Sequence, residues 1–198
     1  MNLQGRINIL IQRYGLSRQE LAAICDVSTV TVHKWLSGKA NIKEEHSKAL
    51  AKRLWVDWLW VQHGVSRVEQ FVVDTLVSGS NNIMVCHTDS LDVLTEYLGT
   101  NLRLVTGRTA DTEAIGIRLS KSLTSGAMQK ALLYGNRIVT AENPTNLQPL
   151  ELKEALYNVH QELIKGSFLV KVLTMWTDTL GVTRIVFQID FCHQDREI

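Results

Sequence analysis

Residues 16–38 read LSRQELAAICDVSTVTVHKWLSG, and this stretch decides the fold of the front of the chain. Ser17 followed by Glu20 three residues later is a capping box, in which a hydroxyl and a carboxylate satisfy each other's backbone amides. The helix that starts there buries Leu21 and Ile24. Asp26-Val27-Ser28 interrupts it. Ser28 caps a second helix that runs to about Ser37, and Gly38 stops it. Leu21, Ala22, Val27, Val32 and Trp35 have the spacing of one buried core, with Ala22 small where two helices must approach. Val32 and Trp35 face inward, which leaves Thr29, Val30, His33 and Lys34 on the outer face.

Working outward, Leu3, Ile7, Leu10 and Ile11 give Leu3–Tyr14 a helical stripe that Gly15 closes. A fourth helix fits Lys43 to about Leu54. A short fifth fits Asp57 to Gln62, ahead of Gly64. Five short helices in residues 1–64 make a compact all-α domain. It carries nine Lys/Arg against five Asp/Glu, whereas residues 65–198 carry twelve against fifteen. A basic front and an acidic back suggest that only the front meets a polyanion. The alternative reading is chance, since an excess of this size is common in small domains.

The spaced positions from Leu16 to Gly38, continued by Val56-Asp57-Trp58-Leu59 and Gly64, resemble the helix-turn-helix of the lambda-repressor-like (Cro/CI, XRE) family. The resemblance covers residues 3–64. It implies a DNA-binding transcriptional regulator whose third helix enters the major groove. There Lys34 would donate to guanine, His33 to a base edge or phosphate, and Thr29 and Val30 would touch thymine methyls. Arg18 stands where that family contacts phosphate. Ser28, Lys39, Asn41 and Lys43 are further phosphate candidates. Such contacts position the protein and make binding salt-dependent. Two departures stand out: Asp26 replaces the turn glycine common in the family, and Leu36 replaces an acidic residue. Asp tolerates the left-handed conformation that the turn needs.

Val65–Val77 has the spacing of a connecting helix with Val68, Phe71, Val72 and Leu76 on one face. That stripe either supplies the dimer contact a twofold DNA site requires or packs on its own chain. Ser78–Asn82 is a polar break, so residues 65–82 read as connecting helix and linker and residues 83–198 as a second domain. Within it Ile83–Cys86, Leu102–Val105 and Arg137–Ala141 read as strands. Leu91–Leu98, Thr112–Leu123, Ala127–Tyr134 and Leu150–Lys165 read as helices. Asn143–Pro149, with both prolines, is a loop. Ser167–Trp176 and Val182–Cys192, separated by Asp178–Gly181, form a hairpin. The expected fold is therefore α+β: a mixed sheet ending in that hairpin, with helices on one face. This order resembles PAS-like sensor domains, which implies a sheet curved around a small pocket and a dimer surface on the final strands. A plain α+β dimerisation domain is the competing reading.

Other constellations are poorer. Cys25, Cys86 and Cys192 are an odd, widely spaced set without metal-ligand spacing, which suits a reducing cytoplasm. Cys25 reads as a small core residue. His87, Asp89 and Asp92 read as a polar turn, and His87 with His193 would bind metal or haem only if the fold joined them. Ser122, Ser125 and Lys130 offer the residue types of a self-cleaving peptidase without its β-rich context. No glycine-rich phosphate loop and no run of ~18 apolar residues occurs, so nucleotide and membrane readings fall away. Trp55, Trp58 and Trp60 form a dense aromatic patch in which not all three can share one face. His46 and His63 read as surface or capping residues. The sequence reading is thus a cytoplasmic, nucleoid-associated regulator, not an enzyme, with no cofactor. It would be a homodimeric repressor of phage or mobile-element type on an inverted repeat of double-stranded DNA, with a second domain that dimerises and senses a small ligand. The alternative is an antitoxin- or anti-activator-type protein whose helical domain binds protein.

Overall fold

A computed structural model describes residues 1–65, 81–89, 92–108 and 118–192. The connecting stripe of Val68, Phe71, Val72 and Leu76 lies outside them, as does His193. Helices α1 (Leu3–Tyr14), α2 (Arg18–Cys25), α3 (Thr29–Leu36), α4 (Glu44–Leu54) and α5 (Trp58–His63) follow the expected five-helix order. Local chemistry sets their ends. Gly15 closes α1 in the left-handed conformation. Ser17 and Glu20 form the capping box of α2. Asp57 caps α5, its carboxylate accepting from the Leu59 amide at 2.9 Å.

The second half holds β1 (Ile83–Asp89), β2 (Asp92–Leu98), α6 (Thr100–Thr106), α7 (Leu119–Ser122), α8 (Ser125–Thr140), β3 (Leu150–Lys153), β4 (Ser167–Thr177) and β5 (Thr183–Cys192). The sheet order is β2-β1-β5-β4-β3. Every strand pair in it is antiparallel, so the expected mixed sheet is corrected to an antiparallel one. The β4–β5 hairpin is at the centre of the sheet, and the helices that separate β2 from β3 in sequence cover one face. This is an α+β architecture.

Four local expectations are corrected. Leu91–Leu98 is not a helix: residues 92–98 are β2. In its register Val85 faces Tyr97 and Cys86 faces Thr95, so Glu96 is an extra, bulged residue. The bulge puts Val93, Thr95 and Leu98 on one face, a spacing that imitates a helix. Leu102–Val105 is not a strand but the middle of α6, bracketed by Gly99 and by left-handed Gly107. Arg137–Ala141 is not a strand, because α8 continues through Gly135 to Thr140. Leu150–Lys165 is not a helix: after β3, Glu154 (φ 43°) and Gln161 (φ 62°) turn the chain through left-handed conformations that no α-helix contains.

One large apolar core runs through both halves, from Ile7 and Leu10 to Phe187 and Ile189, and a smaller cluster of Ile83, Val85, Trp176 and Val186 stands apart from it. The seam between the halves uses all three tryptophans of the patch. Trp55 lies on α8, where a Cβ at Gly135 would stand 1.8 Å from Trp55 Cη2. A glycine inside a helix costs about 1 kcal/mol relative to alanine, and here it makes room for the indole. Trp58 Nε1 donates to the Ala141 carbonyl at 3.3 Å. Trp60 packs near Gly181, in the turn between β4 and β5. Simple packing, rather than an interface, accounts for the tryptophans that cannot share one face with Trp58. Behind it lies an apolar cavity of about 100 Å³, walled by α6, α8 and the sheet.

Candidate nucleic-acid interface

The outer face of α3 is built from its inner one. Val32 and Trp35 are fully buried, and Trp35 meets the His46 ring at 5.7 Å between centroids. His46 is therefore a half-buried packing residue and not a free surface group. With that side fixed, Thr29, Val30, His33 and Lys34 all point to solvent. Val30 is 61% exposed, an apolar side chain that gains nothing from water at that position. Lys34 makes no ion pair among the described residues.

The turn before α3 holds the two helices at a fixed angle. Asp26 sits at φ 51°, in the left-handed region that the turn requires. The Val27 amide donates to the Ala22 carbonyl at 3.0 Å. Ser28 Oγ accepts from the Thr31 amide at 3.2 Å and lies 3.1 Å from the Thr31 hydroxyl. At the start of α2, the Glu20 amide donates to Ser17 Oγ at 3.1 Å and the Ser17 amide to Glu20 Oε2 at 2.8 Å. These bonds hold the exposed Glu20 carboxylate below its usual range.

The phosphate candidates separate by their surroundings. Arg18 and Lys39 are exposed and carry no ion pair among the described residues. Asn41 is exposed. Lys43 lies 3.6 Å from Glu45, and both side chains are largely solvated. Ser28 already serves as a cap, so only its remaining capacity faces outward. Leu36 is half-buried against the core.

Two cations of the basic front are turned inward, which the charge count alone could not reveal. Arg6 is 4% exposed. Its guanidinium donates to the Val61 carbonyl at 2.9 Å, to the Gln62 carbonyl at 2.8 Å and to the Met1 carbonyl, tying α1 to α5. Burial lowers its pKa. Arg13 donates to the Thr88 carbonyl of β1. A third, Lys48, pairs with Glu44 at 2.6 Å and sits over the Trp58 ring. The positive field at α3 therefore comes from fewer residues than the composition suggests.

Elsewhere the titratable groups serve the fold. Arg184 bridges Glu96 at 2.9 Å and Asp178 at 2.7 Å, with His87 Nδ1 3.4 Å from Glu96. No cluster of metal-ligating type occurs among the described residues. Burial pushes the Cys25 and Cys86 thiols up to about 12. Ser122 is buried with its hydroxyl on the Arg118 carbonyl, Lys130 is exposed, and no hydrogen bond joins either peptidase serine to Lys130 among the described residues. No described helix is long and apolar enough to cross a membrane.

A helix-turn-helix family model matches residues 7–61, the segment that contains α2, α3 and the turn between them. No curated protein matches the chain. Among solved structures, a light-oxygen-voltage domain studied with a flavin analogue aligns over 64% of this chain and 88% of its own, at 14% identity and a TM-score of 0.44.

Proposed function

We propose that this chain, a DNA-binding transcriptional regulator of the XRE helix-turn-helix type by its residues 7–61, reads one half-site with the outer face of α3. Thr29, Val30, His33 and Lys34 meet base edges. Arg18, Lys39, Asn41 and Lys43, with Ser28, hold the flanking phosphates. The observation that carries this reading is the exposure of those four α3 side chains, Val30 included, on a helix whose other face is locked into the core. Few of these residues make bidentate contacts, so DNA shape supplies part of the specificity. The protein acts as a homodimer on an inverted repeat, with the stripe of Val68, Phe71, Val72 and Leu76 as its dimer contact, and represses transcription at the bacterial nucleoid. Its α+β half senses a small ligand.

Selection from randomised duplex DNA tests this, using the full chain beside a Thr29→Ala, Lys34→Ala variant. An enriched inverted repeat that the variant loses supports the reading. A lone half-site removes the symmetric dimer. No enrichment by a folded protein removes DNA reading by α3.

A further inference from the structure

The cavity behind the seam is bounded by residues of the second half, among them Met84, Val93, Leu98, Met128 and Ile138, and also by Trp55 from the first. Its wall is almost wholly carbon and sulfur. The hydroxyl of Thr106, another wall residue, is already held by the Leu102 carbonyl at 2.7 Å. Among the described wall residues only the Tyr134 hydroxyl is buried without a hydrogen-bond partner, so a charged or multiply hydrogen-bonding guest would lose its water there and gain little in return. Apolar cavities of this order of size stay dry and accept benzene-like molecules.

Trp55 is placed in that wall by two unusual backbone features. It closes α4 at φ 53°, a left-handed conformation that a bulky side chain adopts only under constraint. Its ring occupies the space left by the missing side chain of Gly135, inside α8. On its other side the same indole lines an open groove with Ala23 and Ile24 of α2 and with Arg53. The Trp55 ring, beside Leu132, thus stands between the cavity and the first helix of the DNA-reading pair.

We propose that Trp55 is a movable wall through which a compact, uncharged molecule without hydrogen-bonding groups, held in the cavity, acts on α2 and α3. This rests on the ligand-sensing reading above. A guest that fits beneath the ring favours the docked position. A guest that needs more room drives the ring toward Ala23 and Ile24, because the α8 backbone blocks the other side. In either case the guest acts only through its different affinity for the two ring positions.

Bromobenzene is a suitable probe, because its heavy atom quenches an indole it touches. The full chain should show a saturable rise in Tm with bromobenzene, and a quenched tryptophan component that Trp55→Leu lacks. Its affinity for the selected duplex should change by at least about fivefold, and Trp55→Leu should abolish that change. Gly135→Ala puts a helix-favouring residue in α8 but evicts the ring, so it should alter DNA affinity without probe. No saturable binding to the wild-type chain would overturn both the site and the ligand-sensing reading. Binding whose effect on DNA survives in Trp55→Leu overturns the role of Trp55 and leaves sensing intact. Binding with no effect on DNA overturns the coupling alone.

Discussion

The backbone amide of Asp57 donates to Thr177 Oγ1 at 2.9 Å, joining residues 120 positions apart, and also lies 3.2 Å from Thr183 Oγ1. Asp57 is the cap of α5, whereas the two threonines flank the turn of the central hairpin. All three are buried, and the two hydroxyls are 2.6 Å apart. Valine matches threonine in shape without the hydroxyl. Replacing both threonines with valine strands the amide and should cost roughly 1–3 kcal/mol in urea unfolding. Thr177→Val alone should cost less, since Thr183 remains within reach. Equal losses in the single and double variants would show that the pair does not act together on the amide.

Arg6 and Arg18 should behave as opposites. Arg18→Ala should leave the unfolding midpoint in place and lower the slope of log K against log salt by about one. Arg6→Met should leave that slope alone and lower stability by at least roughly 1–3 kcal/mol, because three carbonyls lose a buried donor. Salt titration of duplex binding beside urea melts reads both. A flattened slope in Arg6→Met would refute its inward role.

Lys34→Ala should weaken binding to the selected duplex by ~1–3 kcal/mol and relax preference at one base pair. Competition with single-base variants of the duplex checks it. A uniform loss across all variants would move Lys34 from the base-reading set to the phosphate set.

The thiols offer a pH test. Cys25 and Cys86 have folded pKa values raised to about 12 from an ordinary 9.0. Below pH 9.0 both folded and unfolded chains hold these protons, and the two sites add no pH dependence. Above it the unfolded chain ionises first, so stability falls as pH rises toward about 12. Urea midpoints across that window should drop less steeply in Cys25→Ala, Cys86→Ala than in the wild type. In the native protein at about pH 8, a thiol reagent should modify the exposed Cys192 and spare the other two.

The front of the molecule was legible because each helix end carries its own signal. Ser17 with Glu20, Ser28, Gly15 and Gly64 act within a few residues of themselves, and the sequence displays such pairs directly. The back was less legible because long-range pairing sets its elements. The bulge at Glu96 gives β2 a helix-like spacing. Gly135 looks like a helix stop until Trp55, eighty positions earlier in the chain, is seen to need its space. Leu152, Leu156, Val159 and Leu163 keep helical intervals, yet Leu152 faces Phe168 in the sheet and Leu156 bridges Leu123. The hairpin was readable because its partners are adjacent in sequence. At the interface, the outward set on α3 followed from the buried set. The inward turn of Arg6 and Arg13 did not, since their acceptors are backbone carbonyls that no residue type announces.

The tryptophan seam bears on how such a protein can be rearranged. Cutting the chain after Gly64 would strip the covering from Trp55, Trp58 and Trp60 together and leave the Asp57 amide facing water. The reading head is therefore not a portable cassette. Grafting it onto another sensor would require a receiving surface with a gap like that at Gly135, a carbonyl like that of Ala141 and a pair of hydroxyls like those of Thr177 and Thr183. Changes at these positions are expected to arise in concert across the seam, even though the two halves are separate stretches of chain.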